Sequence, residues 1–388
     1  MDNLLADRFL APAPRWTAGA AVVGLGLLLG FLLPALRPWT GALLAVSLTG
    51  FLFGLCQFLL GRRMVAAGFV APALSVAACY VSILFYRLLT EEREKRWIRS
   101  TFSQYLSPKI ITIIVQDPER LKLGGEEREI TIFFSDIEHF TTISEELGTA
   151  QLVEFLNRYL TLMSDVVLKH DGVVDKYIGD AIMAFWNAPL NQTDHARVAC
   201  RAALECQEVL KGFRAELKSR GLPEVYSRIG LNTGRAKVGN MGSASRLSYT
   251  AIGDSVNLAS RLEGANKAYG TYIMISESTY EAARDEVEAR PLDRIRVVGK
   301  KEPIGVYELV GLKGSLPEET KRGVELFEKA LRLYYPGRSF REAREVFGKA
   351  LEAIPGDPPS QAYIERCEAY ASTPPPPEWD GVYALTSK

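Results

Sequence analysis

Three uncharged apolar runs follow one another in the first ninety residues: Trp16 to Leu36, Pro38 to Leu60 and Met64 to Tyr86. Each reaches the roughly 20 residues that a helix needs to cross the hydrocarbon layer of a bilayer. A cleaved leader accounts only for the first run, which is too long for one and follows Asp2, Asp7 and Arg8 rather than a basic start. Helices buried in a soluble core are the alternative. The reading adopted is a short outer stub over 1–15 and three transmembrane helices within 16–86.

Charge gives orientation only a lean. Arg87, Arg93, Lys95, Arg96 and Arg99 follow the third run and favour the cytoplasmic side, but Arg62 and Arg63 then fall outside. Residues 87–125 form a juxtamembrane segment. Its stretch LLTEEREKRWIRSTFSQYL keeps Leu88, Trp97, Ile98 and Phe102 apolar, which suits a helix leaving the membrane, either paired with its copy or solvated. Over the whole chain, 46 Lys and Arg balance 46 Asp and Glu, so no global field points to nucleic acid. The five cysteines lack a CxxC pair and there are three histidines, which leaves reduced structural thiols rather than a zinc site.

From Glu126 to about Val310 strands and helices alternate. EITIFFSDI and VYSRIGLNTG read as strands, VVDKYIGDAIMAF as a hairpin turning at Gly179 and Asp180, and Asp194 to Leu217 as a long helix. The fold class expected is α/β, of the α+β type, over residues 126–312. Beyond it, 316–372 reads as a tetratricopeptide-like hairpin with a third helix. That is too few repeats to stand alone, so it must pack on something else, either the preceding domain or a separate protein. Residues 373–388 form a Pro-rich tail, PPPP leading to Trp379.

Asp136 closes the apolar strand FFSDI, where an ionised carboxylate needs a partner, solvent or a cation. Asp180 stands in the Gly-Asp turn, four residues after Lys176. Two such carboxylates converging suit Mg²⁺, which takes hard oxygen ligands, although either Asp alone is ordinary turn chemistry. In GDSVNLASRLEGA a helix starting near Asp254 puts Asn257 and Arg261 on one face. Arg261 there offers a fork for phosphate and Asn257 a contact for a ribose oxygen.

FFSDIEHFT, DKYIGDAIMAFW, GLNTGRAKVGNMG and YTAIGDSVNLASRLE, in that order, resemble the catalytic domain of class III adenylyl and guanylyl cyclases over about Gly124 to Leu309. The resemblance implies a ferredoxin-like, palm-type domain that works as a homodimer with active sites at the interface. It implies two metal ions per site, Mg²⁺ or Mn²⁺, held by Asp136 and Asp180 with the Ile137 carbonyl as a further ligand. From the partner come Lys176 and Thr250 as base-selecting residues and Asn257 and Arg261 as the transition-state pair; Lys300 matches the phosphate-binding lysine, with Lys301 as the competing match.

A lysine donor and a hydroxyl acceptor complement the N1 acceptor and 6-amino donor of adenine, whereas guanine reverses both demands. The expected activity is therefore conversion of ATP to 3′,5′-cyclic AMP and pyrophosphate, in an enzyme of the inner (plasma) membrane whose catalytic domain faces the cytoplasm. A guanylyl or dual-substrate cyclase and a silent nucleotide-binding scaffold are the alternatives. Thr250 also resembles a subclass reported to respond to bicarbonate. The first residues and the tail look like those of bacterial cyclases with an extracytoplasmic CHASE-type sensor, here without the sensor. His139, and VVGKKEP around Lys300, depart from the family's usual residues.

Overall fold

The computed structural model describes residues 11–63, 65–66, 68–102, 124–243, 246–296 and 303–384. It divides into two compact units, 1–106 and 107–388.

The first unit is built from α1 (Arg15–Leu32), α2 (Pro38–Arg63) and α3 (Val70–Phe102). Trp16–Ala35, which runs from α1 through a short 3-10 turn, Pro38–Gly61 and Val70–Thr90, of 20, 24 and 21 residues, are long and apolar enough to cross a membrane. Only a thin seam is shared among them, around Leu29, Leu33, Ala45 and Val76. Large side chains point outward instead, Phe31 at 86% and Trp39 at 88% exposure, as expected when the solvent is lipid. The third helix differs from the expected run. It begins at Val70 rather than near Met64, with Pro72 in its first turn where a missing N–H costs nothing, and it continues unbroken past the apolar stretch to Phe102.

The second unit carries one nine-stranded sheet. Its strands are β1 (Gly124–Ile137), β2 (Val173–Ile178), β3 (Ala181–Trp186), β4 (Ser227–Ser243), β5 (Arg246–Ile252), β6 (Ile273–Ser276), β7 (Val287–Arg296), β8 (Ile304–Leu312) and β9 (Tyr383–Ala384). Their order across the sheet is β9-β7-β8-β6-β4-β1-β3-β2, with β5 paired to the far end of β4. Only β4–β6 and β7–β9 run parallel. Helices α4 (Phe140–Glu146), α5 (Thr149–Lys169), α6 (His195–Ser219), α7 (Asp254–Tyr269) and α8 (Glu277–Ala283) complete the domain.

Strand β1 is buried on both faces from Ile130 to Phe133, the pattern of a central strand covered on each side. Alternation assigns the faces. Thr131, Phe133, Ser135 and Ile137 turn towards α5 and α6, where Phe155, Tyr159, Met163, Val166 and Val167 supply the apolar stripe of α5. Asp136 therefore turns to the opposite face, on which α7 lies. There α7 is seated closely: a Cβ at Gly230 of β4 would fall 2.3 Å from the Ala259 carbonyl oxygen. Two side chains pin its ends, Asn232 Nδ2 donating to Ser255 O (2.9 Å) and the buried Asn266 Nδ2 to Ile229 O (3.0 Å).

Helices α9 (Glu318–Tyr334), α10 (Phe340–Ala353) and α11 (Pro358–Ser372) follow β8. They pack on their own chain. Phe327, Phe347 and Tyr363 share one apolar cluster with Leu262 and Tyr269 of α7 and with Leu292 and Ile295 of β7. The Tyr363 hydroxyl donates to Leu292 O at 2.7 Å. Trp379, beyond the prolines, fits among Tyr334, Phe340 and Tyr370. The something else that so short a repeat needs is thus the preceding domain. Cys200, Cys206 and Cys367 are free and buried.

Candidate active site

The β2–β3 hairpin turns at Gly179, whose φ of 68° lies in the left-handed region. This turn brings Asp180 beside the end of β1, where its Oδ2 accepts from the Ile137 backbone N–H at 3.1 Å. Burial, the adjoining Asp180 carboxyl and its charge push Asp136 up to about 7, with Arg228 pulling the other way. Arg228 is the register neighbour of Asp136 on β4. It lies 3.8 Å from Glu138 and 3.6 Å from Glu263. Burial first, and then the charge of Asp136, push Glu263 up to about 7 as well.

One guanidinium thus faces three carboxylates, Asp136, Glu138 and Glu263, with Asp180 set against Asp136. The surplus negative charge fits a site for cations. Among the described residues no group of three His, Cys, Asp or Glu is placed to hold an ion. A carboxylate pair whose other ligands come from a backbone carbonyl, water and phosphate suits magnesium rather than zinc.

A second cluster forms where β5 crosses to β2. Lys176 Nζ donates to Thr250 Oγ1 at 3.0 Å, and Thr250 Oγ1 donates to Asp175 Oδ2 at 2.5 Å. Thr250 is buried and Lys176 is partly exposed. Contact between the Tyr249 and Phe185 rings, 6.2 Å apart, seats β5 on β3. Burial raises Asp175, opposed by the Thr250 hydrogen bond and the Lys176 charge.

On α7 the apolar positions Val256, Leu258, Ala259 and Leu262 face inward. Asn257 is exposed and Arg261 half-buried one turn later. Lys300 and Lys301 lie outside the described residues. Asp175, Arg228 and Glu263 are site residues that sequence reasoning passed over. Asp175 stands next to Lys176 in DKYIGD, a signal that was available, whereas Arg228 and Glu263 are tied to Asp136 only by strand register and helix packing.

The adenylate and guanylate cyclase catalytic domain model matches residues 125–311. Over 212 residues the chain is 40% identical to adenylate cyclase 1 of Rhizobium meliloti, covering 55% of this chain and 32% of that protein. An adenylate cyclase of Anabaena cylindrica is 36% identical over 218 residues, 54% of this chain and 42% of that one. The chain therefore spans less than half the length of these relatives. Among solved structures, the adenylyl cyclase CyaB from P. aeruginosa is 36% identical over 50% of this chain and 100% of its own, with a TM-score of 0.47. The guanylyl cyclase Cya2 is also 36% identical, over 50% and 97%, with a TM-score of 0.46. Residues 125–311, which include both hydrogen-bonded clusters, thus form a domain of the adenylate and guanylate cyclase catalytic type within this chain.

Proposed function

We propose that the chain is an adenylyl cyclase, forming 3′,5′-cyclic AMP and pyrophosphate from ATP in a homodimer anchored in the plasma membrane. The observation that carries the choice of base is the contact of Lys176 with Thr250, which presents an ammonium donor beside a hydroxyl oxygen. Overall identity does not decide it, since an adenylyl and a guanylyl cyclase structure are equally similar in sequence.

In this reading Asp136, Asp180 and the Ile137 carbonyl would hold two Mg²⁺ or Mn²⁺ ions. Bound there, the metals supply charge neutralisation for the triphosphate and acidify the ribose 3′-hydroxyl. Lys176 donates to adenine N1, and Thr250 accepts from the 6-amino group. Asn257 orients the ribose, and the Arg261 fork meets charge developing on the α-phosphate as the 3′-oxygen attacks and pyrophosphate leaves. Lys300 is the candidate for the outer phosphates. No covalent bond to the protein is required.

The family's dimeric arrangement is supported by exposed apolar side chains next to the base-selecting pair: Tyr177 at 50%, Ile178 at 54% and Ile252 at 52%. A domain that consumes ATP faces the cytoplasm, which sets the orientation of the three helices. The test is to incubate detergent-solubilised protein with ATP or GTP and Mn²⁺ and to identify the product. Cyclic GMP as the main product overturns the base assignment, and no product from either nucleotide leaves a binding scaffold.

A further inference from the structure

We infer that Asp175 is a specificity-determining positioning residue, which fixes the Thr250 hydroxyl as a pure acceptor and so sets adenine against 6-oxopurines. The inference rests on the reading of Lys176 and Thr250 as the base-selecting pair.

A threonine hydroxyl by itself does not discriminate. It has one proton and two lone pairs and rotates to suit either an amino group or a carbonyl. At Thr250 that freedom is removed. Its proton points at Asp175 Oδ2, 2.5 Å away, and one lone pair is taken by Lys176 Nζ at 3.0 Å. What remains is one lone pair and no proton.

Such an oxygen can accept from the 6-amino group of adenine. Facing the O6 of guanine or hypoxanthine it has nothing to donate, and two oxygens meet lone pair to lone pair. Lys176 adds the matching demand at N1, where a 6-oxopurine carries a hydrogen. Its ammonium has three donors, so it can keep Thr250 while reaching N1.

Asp175 is built for the role. Its side chain is fully buried, 0% exposed. Oδ1 lies 3.4 Å from Lys176 Nζ without hydrogen-bond geometry. The carboxylate therefore fixes the Thr250 hydroxyl directly and, being buried, is screened from the base. Exchange of this acceptor for a neutral group lets the Thr250 proton turn outward, at which point the hydroxyl serves a carbonyl as well as an amine.

The experiment compares kcat/KM for ATP and for inosine triphosphate, which presents O6 and N1–H without the guanine 2-amino group. Full-length wild type, Asp175→Ala, Asp175→Asn and Lys176→Glu are each assayed with Mn²⁺, and Asp175→Ala is repeated on a Thr250→Ala background. The ATP preference is expected to fall at least about tenfold in Asp175→Ala, the worth of one well-made hydrogen bond, and by less in Asp175→Asn, whose amide oxygen can still accept. On the Thr250→Ala background, removal of Asp175 leaves the ratio unchanged.

Equal losses for both nucleotides in both Asp175 variants, with the ratio held at the wild-type value, overturn the inference and reduce Asp175 to a structural role. If Asp175→Ala fails to fold, the isosteric Asp175→Asn decides alone. Lys176→Glu separates the two levels. If it leaves the preference untouched, the base-pocket reading falls; if it shifts the preference while the Asp175 variants do not, only the positioning role falls.

Discussion

Arg290 of β7 and Asp357 at the start of α11 form a two-pronged ion pair, Nη1 to Oδ2 at 2.9 Å and Nη2 to Oδ1 at 2.7 Å, across 67 residues of sequence. Both side chains are 4% exposed. Arg290 also binds Glu308 at 2.5 Å and lies over the Phe327 ring at 4.8 Å. Asp357 in turn caps α11 by accepting from Ser360 N at 3.1 Å. Asp357→Ala leaves a buried guanidinium short of a partner and a helix without its cap. A destabilisation of about 3–5 kcal/mol is expected. It is read from the thermal midpoint of the detergent-solubilised chain, and a midpoint unchanged from wild type refutes this role for the pair.

Asp136→Ala is expected to abolish cyclic AMP formation with either Mg²⁺ or Mn²⁺. Dimerisation, followed by sedimentation of the same sample, should be unaffected, because Asp136 turns towards α7 of its own chain. Substantial residual turnover removes Asp136 from the metal set.

If the two carboxylates and the Asn257–Arg261 pair act from different subunits, two dead variants should rescue one another. Asp136→Ala co-expressed with Arg261→Ala gives mixed dimers with one intact site. Random pairing then restores about one quarter of wild-type activity. Activity no higher than that of either variant alone argues for sites complete within one chain.

The proposed metal site predicts a pH signature. Asp136, raised in the folded protein from 3.8 to about 7, binds its proton more tightly folded than unfolded. Its contribution to metal-free stability is thus fully present below about pH 4 and is lost as pH rises through 7. A cation must displace that proton, so apparent Mn²⁺ affinity should climb up to about tenfold per pH unit below 7 and level off above it. Titrating Mn²⁺ by its effect on the melting temperature between pH 5.5 and 8 checks this, and an affinity flat across that range contradicts it.

Much of this architecture was readable from local pattern. The apolar, β-branched and aromatic run of β1, the Gly179 turn and the apolar stripe of α5 are statements about neighbours in sequence, where composition and spacing have direct physical meaning. Asp136 could be suspected because a carboxylate closes an apolar strand. Arg228 and Glu263 could not, for their role exists only once β4 is placed in register with β1 and α7 is laid across it. The start of α3 lies inside the third apolar run, because apolarity extends back through Gly68 whereas the first helical turn holds Val70 and Pro72. The docking of the tail was equally invisible, since Arg290 and Asp357 are two ordinary charged residues until the fold buries them together.

The match to the cyclase family stops at residue 311, yet the sheet goes on to recruit Tyr383 and Ala384 as its edge strand beside β7. The inherited module and the folding unit therefore have different ends. A fusion or excision cut at the family boundary strips the cover from Leu262, Tyr269, Leu292 and Ile295 and leaves the β7 edge open, a surface suited to aggregation. For this chain the folded piece runs some seventy residues past the end of the cyclase-domain match.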